Sequence, residues 1–144
     1  VRWSTGRATW QSSVLNSYNQ ERSTASIRTP SDNVPRTNTW NGKIALIYPS
    51  DYGYASTDTT CINNLYECSN DENKTNNWLF KNTDYWTLSP YSGDSSSVVG
   101  MPGGGAVHHD HASGSNSTFP AVFLKSDIKI TSGTGEESNP YILE

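Results

Sequence analysis

The sequence predicts a fold of mixed α+β class, and three observations carry that reading. Near the N-terminus Trp10, Val14, Leu15 and Tyr18 recur three and four apart inside residues 3–22, the spacing of one helical face. Short strand patterns follow, most clearly Ile44–Tyr48 and Tyr85–Leu88. The last third holds both strand signatures, an apolar run at Val122-Phe123-Leu124 and period-two alternation at Asp127-Ile128-Lys129-Ile130. With 144 residues, a single domain spanning 1–144 is expected, long enough to bury a core.

Taken in order, residues 3–22 are the helix, with Thr9 or Ser12 as its cap. A polar linker follows through Pro30 and Pro35, with Ile27 as a lone apolar anchor. Trp40-Asn41-Gly42-Lys43 reads as a turn into a buried strand, Ile44–Tyr48. Pro49 ends that strand, and Ser50 or Asp51 caps a helical turn through Tyr54. Residues 56–77 are a polar excursion holding Cys61, Cys68 and a crowd of asparagines; a loop that long needs a tie, and a disulfide supplies one. Trp78-Leu79-Phe80 and Tyr85–Leu88 are aromatic-rich segments around a turn at Lys81–Asp84. Residues 91–118 are expected to form a long permissive loop, rich in glycine and serine, in which Gly103-Gly104-Gly105 is loop freedom. The chain closes with core strands over 119–143, the Glu136-Glu137 pair sitting in a turn. The final strand, Tyr141-Ile142-Leu143, is expected to be buried near the N-terminal part, and Trp40, Trp78 and Trp86 to be core.

Leu, Ile, Val and Phe number only 24, which alone would hint at disorder, but 16 aromatic residues and a net charge of −4 argue against it. Ser, Thr and Asn supply 50 residues, a weakly charged polar surface common on secreted and cell-surface proteins. Ten Lys and Arg residues are scattered without a basic stripe, so no nucleic-acid partner is expected. No run approaches a membrane span, so no membrane insertion is expected. Val1 does not begin a signal peptide, so the chain is expected to start after processing or inside something longer. Cys61 and Cys68 pair in an exported protein and stay free in a cytosolic one; the exported reading makes them a disulfide.

Several strings resemble a domain of unknown function frequent in surface proteins of gut Firmicutes and their phages. They are Lys43–Ala55, Tyr85–Pro90 and Ala121–Leu143, with Trp40, Gly42, Ser50-Asp51-Tyr52, Cys61, Cys68, Asn77-Trp78-Leu79 and Leu124-Lys125-Ser126 in the characteristic places. The resemblance covers about residues 40–143. It implies the C-type-lectin-like fold shared by formylglycine-generating enzymes and retroelement-diversified variable proteins, with antiparallel strands, long loops and a ligand surface on the loops and last strands. The chain departs from that pattern at Thr118-Phe119-Pro120, where the family has Val-Arg-Pro, and at Val98–Gly103. The cysteine pair of the formylglycine-generating enzymes handles copper; here Cys61 and Cys68 sit in the polar loop, so that activity is not carried over.

The expected function is therefore that of an adhesion or receptor-binding domain, displayed outside the cell, on a cell surface or on a virion, that recognises a protein or glycan on another surface. Residues 91–118 are its binding region, with Tyr91, Val98, Met101, His108, His109, Asp110, His111 and Asn116 as ligand-binding candidates. The alternative is a structural module of a pilus or surface array. His108, His109, Asp110 and His111 could bind a transition metal, but adjacent residues on an extended chain face opposite ways, so no metal and no cofactor is expected. Asn77 and Asn139 are faint echoes of a calcium site. No nucleophile elbow, zincin helix or phosphate loop is present, and six glutamates offer a poor glycosidase pair, so no enzyme is expected.

Overall fold

The computed structural model describes residues 1–23, 27–28, 35–136 and 138–144, with 27–28 and 35–36 as backbone. The Ile27 side chain, Pro30 and Glu137 thus lie outside the described residues. Short helices and antiparallel strand pairs make up a mixed α+β fold.

The N-terminal segment is a strand before it is a helix. Arg2–Ser4 (β1) pairs antiparallel with Thr39–Asn41 (β4), with Trp3 opposite Trp40. Trp3 is buried and its indole Nε1 donates to the Gly42 carbonyl at 3.1 Å, a better place for the ring than a helix surface. Trp40 and Asn41 therefore belong to the strand and the turn starts at Gly42. The helix shrinks to Val14–Glu21 (α1), capped by Ser13, whose hydroxyl accepts from the Asn16 N–H at 3.3 Å. Its buried face is Val14, Ser17 and Glu21; of the expected stripe Val14 is core and Trp10 packs against it, while Leu15 and Tyr18 are exposed. Ile27–Arg28 (β2) and Pro35–Arg36 (β3) form a separate antiparallel pair.

The buried Glu21 explains how a polar face can point inward. Its carboxylate accepts from the Ser50 N–H at 3.0 Å and from the Ser50 hydroxyl, and it meets Arg22 at 3.0 Å. The Arg22 guanidinium lies over the Tyr18 ring at 4.0 Å and the Tyr48 ring at 4.3 Å. Burial nonetheless dominates, and the Glu21 carboxyl is pushed up to about 7. Ser50 belongs to Pro49–Tyr54 (α2), whose N-cap is Tyr48 rather than Ser50 or Asp51. Asp51 reaches back to accept the Tyr48 N–H at 2.9 Å. The strand before it is only Ala45–Leu46 (β5), paired with Pro120–Ala121 (β9).

The polar stretch 56–77 is ordered rather than a structureless loop: Thr59–Asn63 (α3), a 3-10 turn at Leu65–Ser69, and Asp71–Asn76 (α4). Its asparagines and aspartates are caps. Asp58 accepts from the Thr60 N–H, Asn64 from the Tyr66 N–H and Asn70 from the Asn73 N–H. The Asn70 amide and the Thr60 and Cys61 N–H groups hold the Asp58 carboxyl below its usual range. Cys61 and Cys68 form the disulfide, both sulfurs' residues fully buried. Around it runs a buried hydrogen-bonded chain. Asn73 Nδ2 donates to the Cys68 carbonyl at 2.6 Å and to the Tyr52 hydroxyl at 3.1 Å, and that hydroxyl donates to the Gly105 carbonyl at 3.0 Å. Gly105 itself has φ +92° and packs against Cys68, so it is a fitted position and not mere loop freedom.

A three-stranded antiparallel sheet faces this helical layer: Tyr85–Pro90 (β6), Ser97–Met101 (β7) and His108–His111 (β8). Along β6 Tyr85, Thr87 and Ser89 are buried and Trp86, Leu88 and Pro90 half-buried, the alternation of a sheet with one covered face. The expected long loop at 91–118 thus contains two strands. Val99, Met101 and Val107 enter the main core with Ala8, Val14, Tyr52, Leu65 and Tyr85. A second cluster joins Trp3, Ala45 and Tyr48.

The tail reverses the expectation most sharply. Ile130–Ser132 (β10) pairs with Ile142–Leu143 (β11), not with the N-terminal part, and both strands are exposed. Val122, Phe123, Leu124, Ile128, Ile130 and Tyr141 are exposed as well, so these apolar residues of the tail are not core. Phe123 stacks on Trp3 at 4.5 Å. Trp40 and Trp78 are exposed and Trp86 half-buried, against the expectation that all three are core.

Candidate functional site

The outer face of the three-stranded sheet is built by pairing. Gly100 lies opposite Trp86 on one side and His108 on the other, and Val98 lies opposite Pro90 and Asp110. Because side chains alternate across a strand, Trp86, Val98, His108 and Asp110 start on the face away from the core. Gly100, lacking a side chain, leaves a pit of about 140 Å³. Asp84, Pro102, His108, His109, Asp110 and Asn116 surround it. That is below the roughly 300 Å³ at which pockets begin to enclose a small molecule. It has room for one group of a larger ligand.

The polar rim is held in place. Asp84 Oδ1 accepts the Gly103 N–H at 2.7 Å, which ties the start of β6 to the end of β7. Asp110 Oδ1 accepts the His111 N–H at 2.7 Å, and Oδ2 accepts the Asn116 amide at 3.4 Å. His111 turns away and bonds Ser113 through Nδ1 at 2.7 Å. In the loop before β7, the Ser96 N–H holds the Asp94 carboxyl below its usual range.

Beside the pit the rings form a ladder. Tyr91 stacks on His109 at 4.1 Å with an interplanar angle of 11°, and His109 stacks on His108 at 4.7 Å and 13°. Trp10 leans on both, at 5.2 Å from His108 and 5.8 Å from His109, and Tyr66 lies 4.9 Å from Trp10. β8 is the edge of the sheet, so two adjacent imidazoles can lean to one side even though their Cα–Cβ bonds alternate. His109 is covered on one face by Tyr91 and on the other by His108; the ladder holds β8 against the helical layer and is not an open stacking platform. The buried Nδ1 of His109 has no hydrogen-bond partner among the described residues.

Of the residues singled out from sequence, His108, His109, Asp110 and Asn116 gather at the pit, and Tyr91 supports them through His109. Val98 is half-buried on the same sheet face. Met101 also lines the pit, but it is only 1 % exposed and lies opposite Tyr85 in the core, because the second residue after Val99 shares its inward face. His111 points elsewhere. Asp84, Trp86 and Trp10 were missed as site residues, Asp84 because it read as a turn and Trp10 because it read as helix. The alternation Tyr85-Trp86-Thr87-Leu88, which puts Trp86 on the face opposite Tyr85, was the available signal. Among the described residues no group of three or more His, Cys, Asp or Glu side chains is placed to hold a metal ion. Among the same residues no helix is long and apolar enough to cross a membrane. In comparisons with known proteins, no family model, no curated protein and no solved structure matches this chain.

Proposed function

We propose that this chain is a C-type-lectin-like binding domain, displayed on a cell or virion surface, that recognises a protein or glycan on another cell or a host surface through residues 91–118. The observation that carries the reading is the pit over Gly100, ringed by Asp84, His108, Asp110 and Asn116 on a rigid sheet face. A hollow edged by hydrogen-bonding groups, too small to enclose a ligand, suits the capture of one protruding group of a large partner. The buried disulfide supports an extracellular location, since such bonds persist in oxidising compartments. Binding of this kind needs no cofactor and involves neither nucleic acid nor membrane insertion.

The test is a binding screen against surface proteins and glycans, repeated with Asp110→Ala and Asn116→Ala. Both side chains are at the surface, so each change should alter stability by no more than about 0.5 kcal/mol, while capture should fall at least severalfold. Capture unaffected by both substitutions refutes the assignment. One observation favours a second reading, a structural module of a pilus or array: the apolar residues of the 122–143 segment stand exposed, as a surface made for assembly would. In that case the substitutions leave assembly intact and changes at Ile130 or Ile142 abolish it.

A further inference from the structure

A second concave surface, sharing no residue with the pit, lies where the turn after α4 meets α2. Trp78 there is 75 % exposed, more than any other large apolar side chain among the described residues. Its position is nevertheless firmly set. Asn77, buried beneath it, donates through Nδ2 to the Tyr52 carbonyl at 2.9 Å and to Asn73 Oδ1 at 3.2 Å, and its Oδ1 accepts the Leu79 N–H at 3.0 Å. The Phe80 N–H closes the turn on the Asn77 carbonyl at 2.9 Å. The backbone that carries the indole is thus tied to the core, and what a ligand has to order is the rotamer of the ring itself.

Next to the indole is a groove of about 360 Å³, lined by Ile47, Asp51, Tyr54, Ala55, Trp78 and Leu79. This volume falls within the range of small-molecule sites. The floor is apolar, one wall is an indole, and the rim carries a carboxylate and a phenol. Tyr54 is exposed and meets Tyr18 edge-on at 6.2 Å, extending the aromatic rim. The Asp51 side chain is 40 % exposed. Among the described residues each of its oxygens has one partner, the Tyr48 N–H at 2.9 Å and Arg22 at 3.4 Å, and a carboxylate oxygen has a second lone pair for another donor.

We infer that this groove binds the pyranose ring of a glycan. A pyranose has a face of C–H bonds and a rim of hydroxyls. The C–H face lies on the indole and the apolar floor, and the hydroxyls donate to Asp51 and bond the Tyr54 phenol. A protein partner fits the surface less well. Exposed polar residues Asn76, Lys81 and Asn82 bound the turn, so the apolar area ends at the groove, whereas a stable protein interface takes about 800 Å² from each partner.

The experiment is an array of α- and β-linked hexose and N-acetylhexosamine oligosaccharides, then titration with the soluble form of a retained sugar, followed by tryptophan fluorescence. Wild-type protein should retain at least one oligosaccharide. Trp78→Ala should weaken it about tenfold or more, the scale on which a lost stacking contact acts, and Trp78→Phe should keep part of the affinity. Thermal unfolding of Trp78→Ala should match wild type, because the ring is exposed. An array that retains nothing overturns the inference, as does binding that survives Trp78→Ala. Binding abolished by Asn116→Ala but not by Trp78→Ala would place the sugar at the sheet-face pit instead, which upholds the site proposed above and rejects the groove.

Discussion

Glu21 should make the stability of this fold fall as pH rises through the range where most proteins are steady. The carboxyl is fully buried between α1 and α2, bonded to Ser50 and paired with Arg22, and burial still pushes it up to about 7 from 4.5. Below pH 4.5 the group is protonated in both folded and unfolded chains, and its full contribution to stability is present. Between 4.5 and 7 the unfolded chain releases the proton while the folded one keeps it, so stability drops with each pH step. Above 7 both forms are ionised and the loss levels off, at roughly 3–4 kcal/mol for the 2.5 pH units between the two values at about 1.4 kcal/mol each. Urea unfolding from pH 4.5 to 8 measures this directly. Glu21→Gln keeps the shape and a hydrogen-bond pair but cannot ionise, so its stability should lack this fall. Asp58 and Asp94, held below their usual range, act with the opposite sign and only toward acid, losing stability as pH falls through their folded values. Wild type and Glu21→Gln that change in parallel between pH 4.5 and 7 would refute the reasoning: Arg22 and Ser50 would then compensate the buried charge in full.

Three further outcomes are expected. Gly53→Ala should destabilise by about 1–3 kcal/mol, since its Cβ would stand 2.2 Å from Val14 Cγ2 and 2.7 Å from Leu65 Cδ2, both in the core; the helix propensity gained, about 1 kcal/mol, does not offset that, and a denaturant melt as stable as wild type would contradict it. Replacing Cys61 and Cys68 together with Ala should cost at least about 2–3 kcal/mol from the lost loop constraint alone, read as a lower urea midpoint. Deleting residues 126–144 should shift Tm by less than about 4 °C, the size of a ~1 kcal/mol change in a chain this long, because β10 and β11 are exposed; a large fall would show that the hairpin is packed.

The sequence by itself determined the class of fold, the disulfide, the strand at Tyr85 and the location of a polar cluster at His108–Asp110. These rest on local chemistry, such as period-two alternation and two cysteines close in the chain. Even the asparagine-rich stretch carried its own signal, since Asp58, Asn64 and Asn70 are spaced as caps of successive short helices. Tertiary structure decided which apolar residues are core. Val122-Phe123-Leu124 and Met101 differ little as letters, yet the first stands in water and the second is sealed between Tyr85 and the helical layer. Trp3 entered a strand because β4, more than thirty residues away, offered it a partner. Glu21 went inside because Ser50, 29 residues away, offered hydrogen bonds to its carboxylate. Burial depends on which surfaces meet, and a local pattern states only that a residue could be buried, not what will cover it.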